Sequence, residues 1–102
     1  MAKLKIVYWH DIPGQVVVRQ GRGNTRYRLS RRFAKAIERA SYRVKKQGKD
    51  ALFDPWHSVE QSFSGDVTQQ AEALVKRLEI EYSDSVLDKL IRARGKTLSP
   101  TA

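Results

Sequence analysis

Apolar positions along this chain change period near residue 30. Before it they cluster in short runs; after it they recur every three to four residues, and that switch separates strands from helices. Leu4 to Trp9 is short, apolar and rich in β-branched and aromatic residues, which predicts a buried strand. Pro13-Gly14 supplies turn chemistry, with proline fixing φ and glycine tolerating a positive one. Gln15 to Gln20 carries three consecutive valines and reads as a second strand, and Gly21-Arg22-Gly23-Asn24 is the next turn. From Thr25 to Leu29, Tyr27 and Leu29 alternate with Arg26 and Arg28, the pattern of a half-exposed third strand.

Ser30 is a favourable N-cap, and Phe33, Ile37, Ala40 and Val44 follow at spacings of 4, 3 and 4, one helical face. Gly48 is the expected stop, and Asp50 to Trp56 the expected loop. Ser58 to Phe63 is a candidate fourth strand. Asp66 can cap a second helix with Val67, Ala71, Leu74, Val75, Leu78 and Tyr82 on its apolar stripe. Ser83-Asp84-Ser85 breaks that run. Ser85 and Asp88 then resemble a capping box for a short third helix holding Leu87, Leu90 and Ile91, closed by Gly95.

The order β-β-β-α-β-α-α places hairpins first and helices later. It predicts a two-layer α+β domain over residues 1–96, with a mostly antiparallel sheet of three or four strands and two or three helices on one face. Residues 97–102 are expected to fray. No internal repeat or low-complexity tract is present, and no apolar run approaches the ~20 residues of a membrane helix. The opening Met-Ala-Lys-Leu-Lys holds no signal-peptide core, so a cytoplasmic location is expected. The 102 residues contain no cysteine, which excludes disulfides, thiolate metal sites and cysteine catalysis.

Charge changes the picture most. The formal net charge is +9. Residues 1–50 hold 14 Lys and Arg against 3 acids, and residues 51–102 hold 6 against 8. That asymmetry predicts one basic surface. On the first helix Arg32, Lys35, Arg39, Arg43 and Lys46 fall within an arc of roughly 80°. Arg22, Arg26 and Arg28 precede them, so a polyanion is a candidate ligand and a nucleic acid one form of it. Arg31 and Arg32 also occupy a helix N-terminus, where the macrodipole favours anions.

The only two tryptophans and only two histidines form the pairs Trp9-His10 and Trp56-His57, with Asp11 and Asp54 nearby. Two histidines and a carboxylate can ligate Fe(II) or Zn(II), yet this spacing matches no metal motif. The structural alternative has each tryptophan anchoring the core and the next residue facing solvent. No P-loop, dinucleotide fingerprint or nucleophile elbow occurs. Glu79 and Glu81, two apart on a helix, share no face. No metal, cofactor or catalytic residue is therefore assigned, and the chain reads as non-enzymatic.

Tyr8-Trp9-x-Asp11-Ile12-Pro13-x-Gln15-Val16 resembles the opening of the bacterial virulence-factor domain family. The likeness runs from about Leu4 to Ile91, through Arg32-Phe33, Ala36-Ile37, Ala40 and Trp56 to Leu78-Glu79-x-Glu81-Tyr82. It departs where His10 and His57 replace a usual arginine, where Ser30-Arg31 replaces Pro-Glu, and where Gly14 replaces alanine. What the resemblance implies is an accessory protein, with gene neighbours in folate- and corrinoid-linked one-carbon metabolism. The expectation is an interaction module that binds a protein partner or anionic ligand through the Trp9–Gln15 edge, led by Trp9, Asp11, Pro13 and Gln15, and the basic face beside it. A nucleic-acid-binding module is the alternative.

Overall fold

The computed structural model describes residues 2–46 and 55–93, with the backbone alone at 44–46. The elements run β1 (Ala2–Trp9), β2 (Ile12–Gln20), β3 (Gly23–Arg28), α1 (Arg31–Lys46), β4 (Trp56–Gln61), α2 (Val67–Glu81) and α3 (Asp84–Arg92). The four strands form one sheet in the order β3-β2-β1-β4, and every neighbouring pair is antiparallel. This is the α+β fold and element order that the sequence predicts.

The first hairpin turns earlier than expected. His10 and Asp11 alone join β1 to β2, and Trp9 pairs with Ile12. His10 takes φ +52, a left-handed conformation in which histidine is enriched. A positive φ lets a two-residue loop follow the right-handed twist of the strands. The His10 amide donates to the Pro55 carbonyl at 2.9 Å, tying the turn to the entry of β4. Pro13 is therefore not a turn residue but a fully buried member of β2. The pairing steps from Val7–Gln15 to Tyr8–Pro13 and leaves Gly14 as the extra residue of a bulge. A bulge is one of the few places where a proline, with no N–H to donate, fits inside a sheet.

One face of the sheet carries the core. Leu4, Ile6, Val16 and Val18 are buried on it, and α2 lies across β1, β2 and β3 through Val67, Ala71, Leu74 and Leu78. α1 reaches β2 and packs on α3, adding Phe33, Ala36 and Ala40 against Leu87 and Leu90. Asp66 caps α2 as predicted, its Oδ1 accepting the Thr68 amide at 2.9 Å. The α3 cap is Ser83 instead of Ser85, with Oγ accepting the Val86 amide at 3.3 Å. Ser83 has the extended backbone an N-cap needs, and Ser85 is already helical. β4 starts two residues before the predicted Ser58 because Trp56 pairs with Trp9. Gly48, Gly95 and the tail at 97–102 lie outside the described residues.

A Cβ placed on Gly14 would sit 3.4 Å from Trp56 Cζ3 and 3.5 Å from both Ile37 Cδ1 and the Val7 carbonyl, ordinary contact distances. Gly14→Ala is therefore expected to hold or raise stability, by up to about 1 kcal/mol, because alanine restricts the unfolded chain. Urea unfolding midpoints of the two proteins check this. A loss larger than ~1 kcal/mol would show that the bulge demands glycine.

Candidate functional site

Strand alternation puts the residues between the core positions on the opposite face of the sheet, which is open over Lys3 to Val7 and closes at Trp9, buried at its far end. The register lines them up in three rows. Lys3, Arg19 and Asn24 form the first. Glu60, Lys5, Val17 and Arg26 form the second. Ser58, Val7, Gln15 and Arg28 form the third. Lys3, Arg19, Arg26 and Arg28 are exposed, and Lys5, Val7, Gln15 and Val17 are partly exposed. Five cations thus surround two valines, with Glu60 at one margin. Adjacent strands lie about 4.8 Å apart. Neighbouring cations on this face therefore lie within a Debye length of ~10 Å of one another.

The basic helix face divides. Arg32 does not present its charge to solvent: its side chain is 29% exposed and turned to the end of α2. Its Nη2 donates to the Glu79 carbonyl at 2.5 Å and lies 3.1 Å from Glu79 Oε1, and Nη1 donates to the Tyr82 carbonyl. Asp84 Oδ1 stands 3.5 Å from Nη1. α2 has no basic residue in its own last turn, so Arg32 supplies the cation its C-terminus favours. In return Glu79 accepts the Ser30 amide at 2.6 Å and the Ser30 hydroxyl at 2.8 Å. The anion site expected at the start of α1 is thus filled by the protein's own carboxylate. Ser30 spends its hydroxyl on Glu79, not on a cap. Burial alone would raise the Glu79 pKa, but the Ser30 hydrogen bonds and Arg32 outweigh it and hold the carboxyl below its usual range.

Lys35, Arg39 and Arg43 remain exposed. Arg39 and Arg43 line a groove of about 570 Å³ with Glu38, Tyr42, Asp88 and Ile91. Asp88 is bound to Arg92 at 3.2 Å across one turn of α3. The side chain of Lys46 lies outside the described residues, and Arg22 is exposed in the β2–β3 turn. Among the described residues, Lys3, Lys5, Arg19, Arg26 and Arg28 thus stand on the open sheet face, Arg39 and Arg43 in the α1–α3 groove and Arg32 in the clamp, while Arg22, Arg31 and Lys35 are exposed elsewhere.

The Trp9–Gln15 edge also needs correction. β1 and β2 are the two central strands, so this segment is not an edge. Trp9 is 5% exposed and Pro13 fully buried, while Asp11 and Gln15 are partly exposed. The motif is distinctive because it builds a two-residue turn, a buried proline and a bulge within a few positions. The two tryptophans do meet, as register partners. The histidines meet at one carbonyl: the His10 amide donates to the Pro55 oxygen, which lies 3.2 Å from His57 Nδ1, and the His57 ring stacks on Tyr8 with centroids 5.5 Å apart. Among the described residues no three His, Asp or Glu side chains gather as a metal site. Asp54 lies outside them.

Residues at the two ends of the family-like pattern converge. Burial, then Glu81, raises the Tyr8 pKa, with Asp11 adding to it and Arg77 opposing. Burial, then Tyr8, raises that of Tyr82, with Glu81 and Asp11 adding. Both phenols therefore stay protonated as donors across the ordinary pH range. Lys3, Lys5, Arg19 and Glu79 are the residues sequence reasoning missed. Lys3 and Lys5 carry a readable signal, cations two positions apart, but the face they share with Arg19 appears only once the hairpin register is known. Among the described residues no helix is long and apolar enough to cross a membrane. A family model described as Virulence factor matches residues 7–91. No curated protein and no solved structure matches the chain.

Glu79→Gln is expected to lower stability at neutral pH by about 1–2 kcal/mol, since it removes charge from several hydrogen bonds that solvent only partly screens. The folded pKa lies below the ordinary value of 4.5. The charge contribution is therefore complete above that value and disappears as pH falls through the folded one. Denaturant midpoints followed downward from about pH 7 should show the gap between the proteins closing in acid. A gap that stays equally wide to the acid limit of folding would contradict the assignment.

Proposed function

Because this chain belongs to the virulence factor family, we propose that it is a non-enzymatic cytoplasmic interaction module that docks an acidic protein partner on the open face of its sheet. One observation carries the reading: Lys3, Lys5, Arg19, Arg26 and Arg28 share that face by register, around Val7 and Val17. An apolar centre within a charged rim is the anatomy of a protein interface, in which arginine is enriched. Complementary charge speeds encounter and fixes orientation more than it adds affinity. The partly exposed Lys5 suits this role, since a lysine stem can cover apolar surface while its ammonium stays in water.

A nucleic acid would also answer to the charge. The face, however, offers valines at its centre where a single strand would seek aromatic platforms. Trp56, 49% exposed, stands at the edge of the sheet. The α1–α3 groove is the weaker site, because Asp88 and Glu38 stand among its arginines.

Binding to immobilised polyglutamate, single-stranded DNA and single-stranded RNA at ~50 mM salt tests the reading. Polyglutamate is expected to bind, with Lys5→Glu/Arg26→Glu weakening it about tenfold or more. Arg39→Glu/Arg43→Glu should leave it within about twofold. Tighter binding of nucleic acid, with a steep salt slope that Lys5→Glu/Arg26→Glu abolishes, would replace the protein partner by a nucleic acid.

A further inference from the structure

β3 is an edge strand: β2 pairs with one side of it, and among the described residues no strand pairs with the other. Such an edge presents a row of unpaired N–H and C=O groups to any extended chain. Its residues alternate in chemistry as well as direction. Arg26 and Arg28 share the open face with Val17 and Gln15, whereas Tyr27 shares the core face with Val16. On the core side the edge continues into a groove of about 580 Å³, lined by Arg26, Tyr27 and Arg28 from β3 and by Glu72, Val75 and Lys76 from α2. The groove exists because α2 lies across the sheet without filling the space beside β3. Tyr27 and Val75 are partly buried apolar residues packed on the core, so they give the groove an apolar floor.

We propose that the β3 edge receives an extended segment of the partner as a fifth strand, one in which acidic and apolar residues alternate. This rests on the reading that the open face holds an acidic polypeptide. Main-chain hydrogen bonds to β3 would supply the pairing, and alternate side chains the selectivity. Carboxylates on the open-face side meet Arg26 and Arg28, where opposite charges on neighbouring strands stabilise the pair. Apolar residues on the other side enter the groove over Tyr27 and Val75. Glu72 is the one carboxylate lining that groove, and Lys76 stands beside it. The opposite edge is a poorer host: β4 carries Glu60 on the open face, where an incoming carboxylate would meet like charge. A second copy of this chain does not fit either, because β3 against β3 sets arginine opposite arginine.

The probe is a capped, labelled hexapeptide of alternating Glu and Val, compared with its block isomer of three Glu followed by three Val. Fluorescence anisotropy gives affinity, and amide hydrogen exchange of the protein gives the place. The alternating peptide is expected to bind about tenfold tighter than the block isomer, as strand addition requires side chains to sort onto two faces. It should slow exchange at amides within Gly23–Arg28, and N-methylation of alternate peptide amides should remove both effects. Arg26→Glu/Arg28→Glu should abolish the preference while leaving the circular dichroism spectrum unchanged. Lys3→Glu/Lys5→Glu should weaken both peptides and keep their ratio. Equal affinity of the two isomers, or protection at β4 in place of β3, overturns the fifth-strand proposal while polyglutamate binding upholds the open-face reading. Absence of binding by both peptides and by polyglutamate overturns both.

Discussion

The contact on which the other features depend is the exchange between Arg32 and Glu79. Each side chain serves the end of the other's helix. Glu79, from α2, takes the amide and hydroxyl of Ser30 at the entry to α1, where helix dipoles favour negative charge. Arg32, from α1, takes carbonyls of Glu79 and Tyr82 at the exit from α2, where they favour positive charge. Both groups are partly buried, so the pairing is less screened than a surface ion pair. The junction also reaches the start of α3, where Asp84, one residue after the Ser83 cap, stands 3.5 Å from the same guanidinium. Phe33, next to Arg32, packs its ring 6.1 Å from that of Tyr82, which joins the polar clamp to the apolar core.

With the helices held this way, the sheet is left asymmetric. α2 covers the side bearing Leu4, Ile6, Val16 and Val18, and α1 reaches β2 while packing on α3, all within one core. Antiparallel sheets accept one wet face, and here Lys3, Lys5, Arg19, Arg26 and Arg28 stand on it. A groove remains between β3 and α2 at the edge of that layer.

Much of this fold is legible in the residue pattern. The order of elements follows from the change of apolar period, and the α2 stripe of Val67, Ala71, Leu74 and Leu78 is readable outright. The site is less legible, for physical reasons. Pro13-Gly14 looks like a turn because local chemistry cannot tell a turn from a bulge around a buried proline. Placing the turn at His10-Asp11 changes which residues of β1 and β2 face one another, and hence which cations share a face. Arg32 looks like its neighbours on a helical wheel. Only the arrival of the α2 terminus distinguishes it from Arg39, and that contact spans 47 residues of sequence. Glu79 is missed for the same reason, since a carboxylate read by helical position alone looks solvated.

The central claim is a division of labour among the arginines: Arg32 belongs to the fold, and the cations of the open sheet face belong to recognition. An NMR titration with inorganic tripolyphosphate, observing arginine Nε–H and lysine side-chain resonances, tests it most directly. Anions should shift Lys3, Lys5, Arg19, Arg26 and Arg28 together along one binding curve and leave Arg32 still. A curve carried by Arg32, or by Arg39 and Arg43 with the sheet residues silent, would contradict the account.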